Sequence, residues 1–168
     1  MDFKTLLYEK DGPVARLTLN RPDRLNAITE DMPFDIEASV NQANDDDGIH
    51  VIVLQGAGRA FCSGYDLKEF AEKDNDLIQD MPWDPMVDYK IMKRFTDAFF
   101  SLWRSYKPTI CKVHGYAVAG GSDVALSCDM VVIADDARIG YPPARVWGCP
   151  TTAMWSIASA PSGPSACC

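Results

Sequence analysis

At 168 residues, 47% of them hydrophobic and 24% charged, the chain is long enough to bury one substantial core and has the composition of a single soluble globular domain. Its formal net charge of -8 argues against nucleic acid or an anionic membrane surface as a partner, while leaving room for a local basic patch that meets phosphates. Met1 to Leu6 has neither the basic head nor the apolar run of a signal peptide, and no later segment is apolar enough to span a bilayer, so a cytoplasmic location is expected. Cysteines at 62, 111, 128, 149, 167 and 168 lack metal-ligand spacing and a secretory context, and read as reduced thiols, mostly small core residues.

Phe3 to Glu9 and Val14 to Leu19 read as two strands around a turn at Lys10 to Pro13. After the loop Arg21 to Ala27, Thr29 followed by Glu30 and Asp31 predicts a capped helix that runs towards Asn44, with Pro33 in its first turn. Asn44 to Gly48 is a charged turn: its consecutive carboxylates lack the later glutamate of a calcium loop, and no metal is expected. Val51 to Gln55 is a short apolar strand that delivers the glycine-punctuated loop Gly56 to Asp66, and Asp66 to Glu72 reads as a helix with Asp66 as its cap.

Lys73 to Pro85 is polar and irregular. From Asp88 the apolar residues Ile91, Met92, Phe95, Ala98, Phe99 and Leu102 recur at helical spacing as a core stripe, which Lys107 and Pro108 end. Thr109 to Val113 is a buried strand, and His114 follows it. Gly120 and Gly121 then open a helix, and Met130 to Ala134 is a further apolar strand. Strands that alternate with helices in this way indicate an α/β core.

The glycine pair carries chemistry. With no side chain, Gly120 and Gly121 let a ligand reach the main chain, and the first amides of a helix have no internal partner and point outward. The loop at Gly56 to Asp66 offers a second exposed amide.

Leu19 to Ile28, Gly58 to Leu67, Lys107-Pro108, Gly115 to Asp129 and Ala137 to Pro142 together resemble the enoyl-CoA hydratase/isomerase (crotonase) family, from Tyr8 to Trp155. The resemblance implies an α/β spiral of repeated ββα units. It implies an acyl-CoA substrate whose thioester oxygen is held, as it becomes an enolate, by the backbone N–H groups of Tyr65 and Gly120. Substrate contacts are carried over to Arg24, Leu25, Ser63, Tyr65, Asp66, Leu67, Gly120 and Gly121, and Lys73 to Pro85 becomes a variable flap where Met81 and Trp83 touch substrate or cover the core. Coenzyme A enters as the substrate handle; no metal, redox cofactor, nucleic acid or membrane is implied.

Hydratases of that family use two glutamates. The first position is Asp123 here, still a carboxylate but one methylene shorter; the second is Pro143, which can neither exchange a proton nor donate an N–H. Two-carboxylate hydration is therefore not expected, whereas one carboxylate, Asp123, can serve other enolate reactions as acid or base. Tyr141 is a weaker candidate acid. The rival expectation is a non-catalytic acyl-CoA-binding or assembly protein.

The expected domain plan is a crotonase-like core at 1–155, without the C-terminal helical region that covers the acyl pocket and builds the family's trimers or hexamers. Residues 156–168 carry two internal prolines and no helical stripe and are expected to be disordered. The residues with which resembled chains continue after the tryptophan, written in G/C-rich codons and read one base late, give Ser156 to Cys167, so an out-of-frame ending is the alternative expectation.

Overall fold

The computed structural model describes residues 3–70, 79, 81–145, 150, 152, 154 and 155. Strands β1 (Leu6–Asp11) and β2 (Val14–Leu19) form an antiparallel hairpin, with Asp11 opposite Val14 and Leu6 opposite Leu19. Gly12, at φ 55, makes the turn, a conformation in which a side chain would be strained. The first strand begins three residues later than Phe3.

From β2 the sheet continues in parallel through β3 (Val51–Gly56), β4 (Thr109–Val113) and β6 (Met130–Ile133), in the order β1-β2-β3-β4-β6. Leu17, Leu54 and Cys111 lie in register across three strands. Two strands too short for periodicity to reveal, β5 (Tyr116–Val118) and β7 (Arg138–Gly140), pair in parallel as a second, smaller sheet.

Helix α1 (Met32–Asp45) follows β2, and α3 (Pro85–Phe99) lies between the short α2 (Leu67–Phe70) and β4. Their buried residues Met32, Ile36, Val40, Phe95 and Phe99 join Leu17, Leu54, Cys111 and Val113 in one core, along the expected stripe. Helix α3 starts earlier than expected because Asp84 caps it, accepting from the Met86 N–H at 2.8 Å, and Pro85 stands at the first helical position, where its missing N–H costs nothing.

Thr29 does not cap α1. The N-cap is Asp31, without a side-chain cap bond, while the Thr29 hydroxyl is buried with no hydrogen-bond partner among the described residues. The far end of α1 is closed from a distance: Lys107 Nζ donates to the carbonyls of Ala43 at 2.6 Å and Asp46 at 2.5 Å. Thr109, at the start of β4, donates its N–H and hydroxyl to Asp129 Oδ2, which fixes the turn between α4 (Gly120–Leu126) and β6.

Cys62, Cys111 and Cys128 are buried free thiols. The expectations for Cys149, Cys167, Cys168 and the tail at 156–168 lie outside the described residues. No helix among the described residues is long and apolar enough to cross a membrane.

Candidate active site

Three pieces of backbone meet between the strand ends. The loop after β3 lies between residues 25–28 on one side and residues 114–118 on the other, bonded to both. Ser63 N donates to Leu25 O at 3.0 Å, Ile28 N to Gly64 O at 2.8 Å and Asp66 N to Ile28 O at 2.9 Å. On the other side Phe61 N donates to His114 O at 3.0 Å, Cys62 N to Tyr116 O at 2.9 Å and Val118 N to Cys62 O at 3.1 Å. The main chains of the two glycine-bearing segments are thus laddered together by hydrogen bonds.

The ladder decides where the amides point. Tyr65 sits opposite Ile28 in a parallel bridge whose bonds are made by its neighbours, Gly64 and Asp66, so its own N–H faces the other side. Gly120 N is the first helical amide of α4, after Ala119 at φ 50 and ψ -127, a conformation costly for a residue with a side chain and a reservoir of strain. Among the described residues neither the Tyr65 N–H nor the Gly120 N–H has an acceptor. A Cβ placed on Gly64, itself at φ +91, would lie 3.5 Å from Gly120 N, so the residue that precedes Tyr65 abuts the other amide.

The glycine pair has a steric reason as well as a chemical one. A Cβ on Gly121 would come within 2.5 Å of Cys62 O, and one on Gly120 within 2.8 Å of the Tyr65 ring and 3.0 Å of Ile28 Cδ1. The seam is thus closed against the Tyr65 ring on one side. Two surface hollows lie elsewhere: one of about 830 Å³ beside Asn41, Asp45 and Asp46, another of about 460 Å³ at the strand ends, lined by Gln55, Lys112, His114 and Ile133.

Asp123 occupies the first turn of α4 with only 2% of its surface exposed. Its Oδ1 lies 3.5 Å from the Thr152 hydroxyl. Burial first, then the charge of Asp123 and the neighbouring Tyr141 and Cys62, push the Tyr65 phenol well above its ordinary range, so it stays protonated. Burial likewise pushes the Cys62 thiol up to about 12, against the opposing Gly64 N–H and Arg21 charge. Tyr65, Asp123, Tyr141 and Cys62 share one environment.

The remaining expected residues divide. Leu25 and Ser63 are part of the ladder. Asp66 is tied to the base of the site: it caps α2, accepting from Lys68 N at 3.2 Å, and pairs with Arg21 at 3.0 Å. Burial alone would raise its carboxyl; the Arg21 guanidinium and the Lys68 and Glu69 amides outweigh burial and hold it below the usual carboxylate value. Arg24 instead stands half in solvent beside Asp23, and Leu67 is 67% exposed. His114, half-buried, has its Nε2 at 2.9 Å from Gly58 O. Met81 and Trp83 are exposed. Pro143 lies in the 3-10 turn Pro142–Arg145. Among the described residues no group of three or more His, Cys, Asp or Glu could hold a metal ion.

Two organising residues were missed. Arg21 donates to Ala27 O at 2.6 Å as well as to Asp66, and the fully buried Asn26 accepts from Arg21 N and donates to Ala57 O at 2.8 Å and Ala60 O at 2.9 Å. The signal was a polar residue inside an otherwise apolar Leu25-Asn26-Ala27-Ile28 run, with φ 53 at Asn26.

Comparison with known proteins places the family and the fold. A family model described as "Enoyl-CoA hydratase/isomerase" matches residues 9–157. A probable enoyl-CoA hydratase of Mycobacterium bovis is 33% identical over 150 residues, which are 87% of this chain and 52% of that protein. Among solved structures, an enoyl-CoA hydratase from Mycobacterium smegmatis superimposes with a TM-score of 0.84 at 47% identity, over 92% of this chain and 55% of the other. An enoyl-CoA hydratase/isomerase from Xanthobacter autotrophicus Py2 gives 0.76 at 35% identity, over 86% and 51%. The expected α/β fold is thus that of crotonase-type hydratases. The chain spans about half the length of the relatives it matches.

Proposed function

The chain belongs to the enoyl-CoA hydratase/isomerase family, and from that premise we propose that it binds an acyl-CoA thioester with the carbonyl oxygen between the N–H groups of Tyr65 and Gly120. The observation that carries this reading is the laddered seam. Two amides from separate segments, without an acceptor among the described residues, sit on backbone held from both sides, and such preorganised donors stabilise a developing oxyanion without reorganising during the reaction.

Asp123 is the acid-base group. Its burial in the first turn of the helix that Gly120 opens supports this role. A single carboxylate suffices for double-bond migration: it takes a proton from the α-carbon of a β,γ-enoyl thioester, the electron pair moves into the dienolate oxygen, and the same proton returns at the γ-carbon. Hydration asks for water activation and α-protonation from two groups, and Pro143 offers neither. The thioester itself supplies the acidity, so the scheme uses no metal or redox cofactor.

Pro143 also favours a second reading, an acyl-CoA-binding protein without turnover. Assays on crotonoyl-CoA and a β,γ-enoyl-CoA, beside a CoA-binding titration, separate the two. The first reading expects isomerase turnover that falls about 10²–10⁴-fold in Asp123→Ala while thioester binding stays within a few fold. Binding without turnover, unchanged in Asp123→Ala, favours the second reading.

A further inference from the structure

The side chain of Tyr65 has a consequence that its amide does not. Its ring lies against the bare Cα of Gly120, at 2.8 Å and 3.0 Å from where a Cβ would stand, so one ring touches both residues that contribute the paired amides. Behind the ring stand two further aromatic rings. Tyr65 stacks on Phe95 at a centroid distance of 6.4 Å and 20° between planes, and meets Phe70 edge-on at 5.5 Å. Phe70 meets Phe95 at 6.0 Å, and Phe95, 3% exposed, abuts Phe34 at 5.8 Å.

The ring is also anchored. The bonds from Ile28 N to Gly64 O and from Asp66 N to Ile28 O hold the main chain on both sides of it, which fixes the Cα from which the ring projects. An acyl chain that leaves a carbonyl held at Tyr65 N and Gly120 N passes this ring within its first carbons. A chain continuing towards α3 meets Phe95 and the core.

Resting on the thioester reading above, we propose that Tyr65, braced by Phe70 and Phe95, is a specificity-determining wall that closes the acyl side of the amide pair and restricts the protein to short-chain acyl-CoA thioesters. The phenol edge, beside Asp123 and Tyr141, then bounds the space left for the reacting carbons.

Calorimetric titration of the 168-residue chain with CoA, butyryl-CoA, hexanoyl-CoA and octanoyl-CoA tests this. The wild type should bind butyryl-CoA and gain nothing, or lose affinity, with each added methylene. Tyr65→Ala should gain up to about fourfold per methylene, the ordinary return for burying one. A wild-type affinity that climbs about fourfold per methylene from butyryl to octanoyl overturns the wall while leaving the thioester reading intact. So does a folded Tyr65→Ala with the wild-type profile. If Tyr65→Ala does not fold, the wild-type series alone decides. Failure of a folded wild type to bind any of the thioesters, butyryl-CoA included, removes the thioester reading and the wall with it.

Discussion

Gly121→Ala probes the seam without removing a titratable group. The new Cβ would lie 2.5 Å from Cys62 O, 2.8 Å from Cys62 Cβ and 2.9 Å from Cys62 Sγ, so the nearest contact falls about 0.9 Å short of the 3.4 Å at which van der Waals contact becomes ordinary. The obstacle is a main-chain carbonyl that accepts from Val118 N at 3.1 Å, on a loop held on its other face by Leu25 and Ile28. Neither side can yield cheaply. Overpacking of this kind costs roughly 1–3 kcal/mol, and weakening the Val118–Cys62 bond adds about 1 kcal/mol. The alanine gains up to about 1 kcal/mol of helix propensity in return, leaving a net loss of roughly 1–3 kcal/mol. For a chain of this size that is a fall in Tm of about 2–12 °C. Gly140→Ala is the control, because a Cβ there meets nothing within 4 Å among the described residues; its change should stay within about 0.5 kcal/mol. Urea unfolding of both variants, with butyryl-CoA titration of the folded state, should show Gly121→Ala alone losing stability and affinity. Equal stability and equal binding for the two variants would refute the packing of residues 62–65 on the start of α4.

The buried Cys62 thiol, at about 12, should be nearly unreactive in the folded protein. At pH 8 its thiolate fraction is on the order of 10⁻⁴, some three orders of magnitude below an ordinary thiol, so mass-spectrometric footprinting with a thiol reagent should label the Cys62 peptide only on unfolding. For Asp66, whose folded carboxyl is held low, the stabilisation it gives is fully present above the ordinary carboxylate value near 4 and is lost as pH falls through the lowered folded value. Asp66→Asn should therefore cost on the order of 1–2 kcal/mol at neutral pH, with the gap to wild type narrowing below about pH 4 in acid-urea titrations; a gap that widens on acidification would contradict the Arg21–Asp66 pairing.

What could be read from the chain alone followed the range of the forces involved. Thr109 to Val113 was legible because its apolar alternation is local and the sheet obeys it, and Phe95, Ala98 and Phe99 were legible because helical spacing puts them on one buried face. The start of α3 was missed where the polar Asp84-Pro85 pair, a cap and a first-turn proline, read as more loop. β5 and β7 span three residues each, fewer than any period needs, and exist because the ladder at Cys62 and the Ala119–Gly140 bond hold them. The Arg21–Asp66 pair and the Asn26 bonds to Ala57 and Ala60 join residues 31 to 45 positions apart, so no local pattern names their partners. Lys107, part of the motif that carried the family resemblance, caps α1 in the fold. For Tyr65 the sequence pointed to the amide; the position of its ring over Gly120 needed coordinates.

The central claim, that two main-chain hydrogens from separate segments share one thioester oxygen, is tested most directly by a crystal structure of this chain with butyryl-CoA bound. The account predicts the carbonyl oxygen about 2.7–3.1 Å from both Tyr65 N and Gly120 N, with the Asp123 carboxylate facing the acyl carbons. A thioester bound with its oxygen on only one of those nitrogens, or on neither, would contradict it.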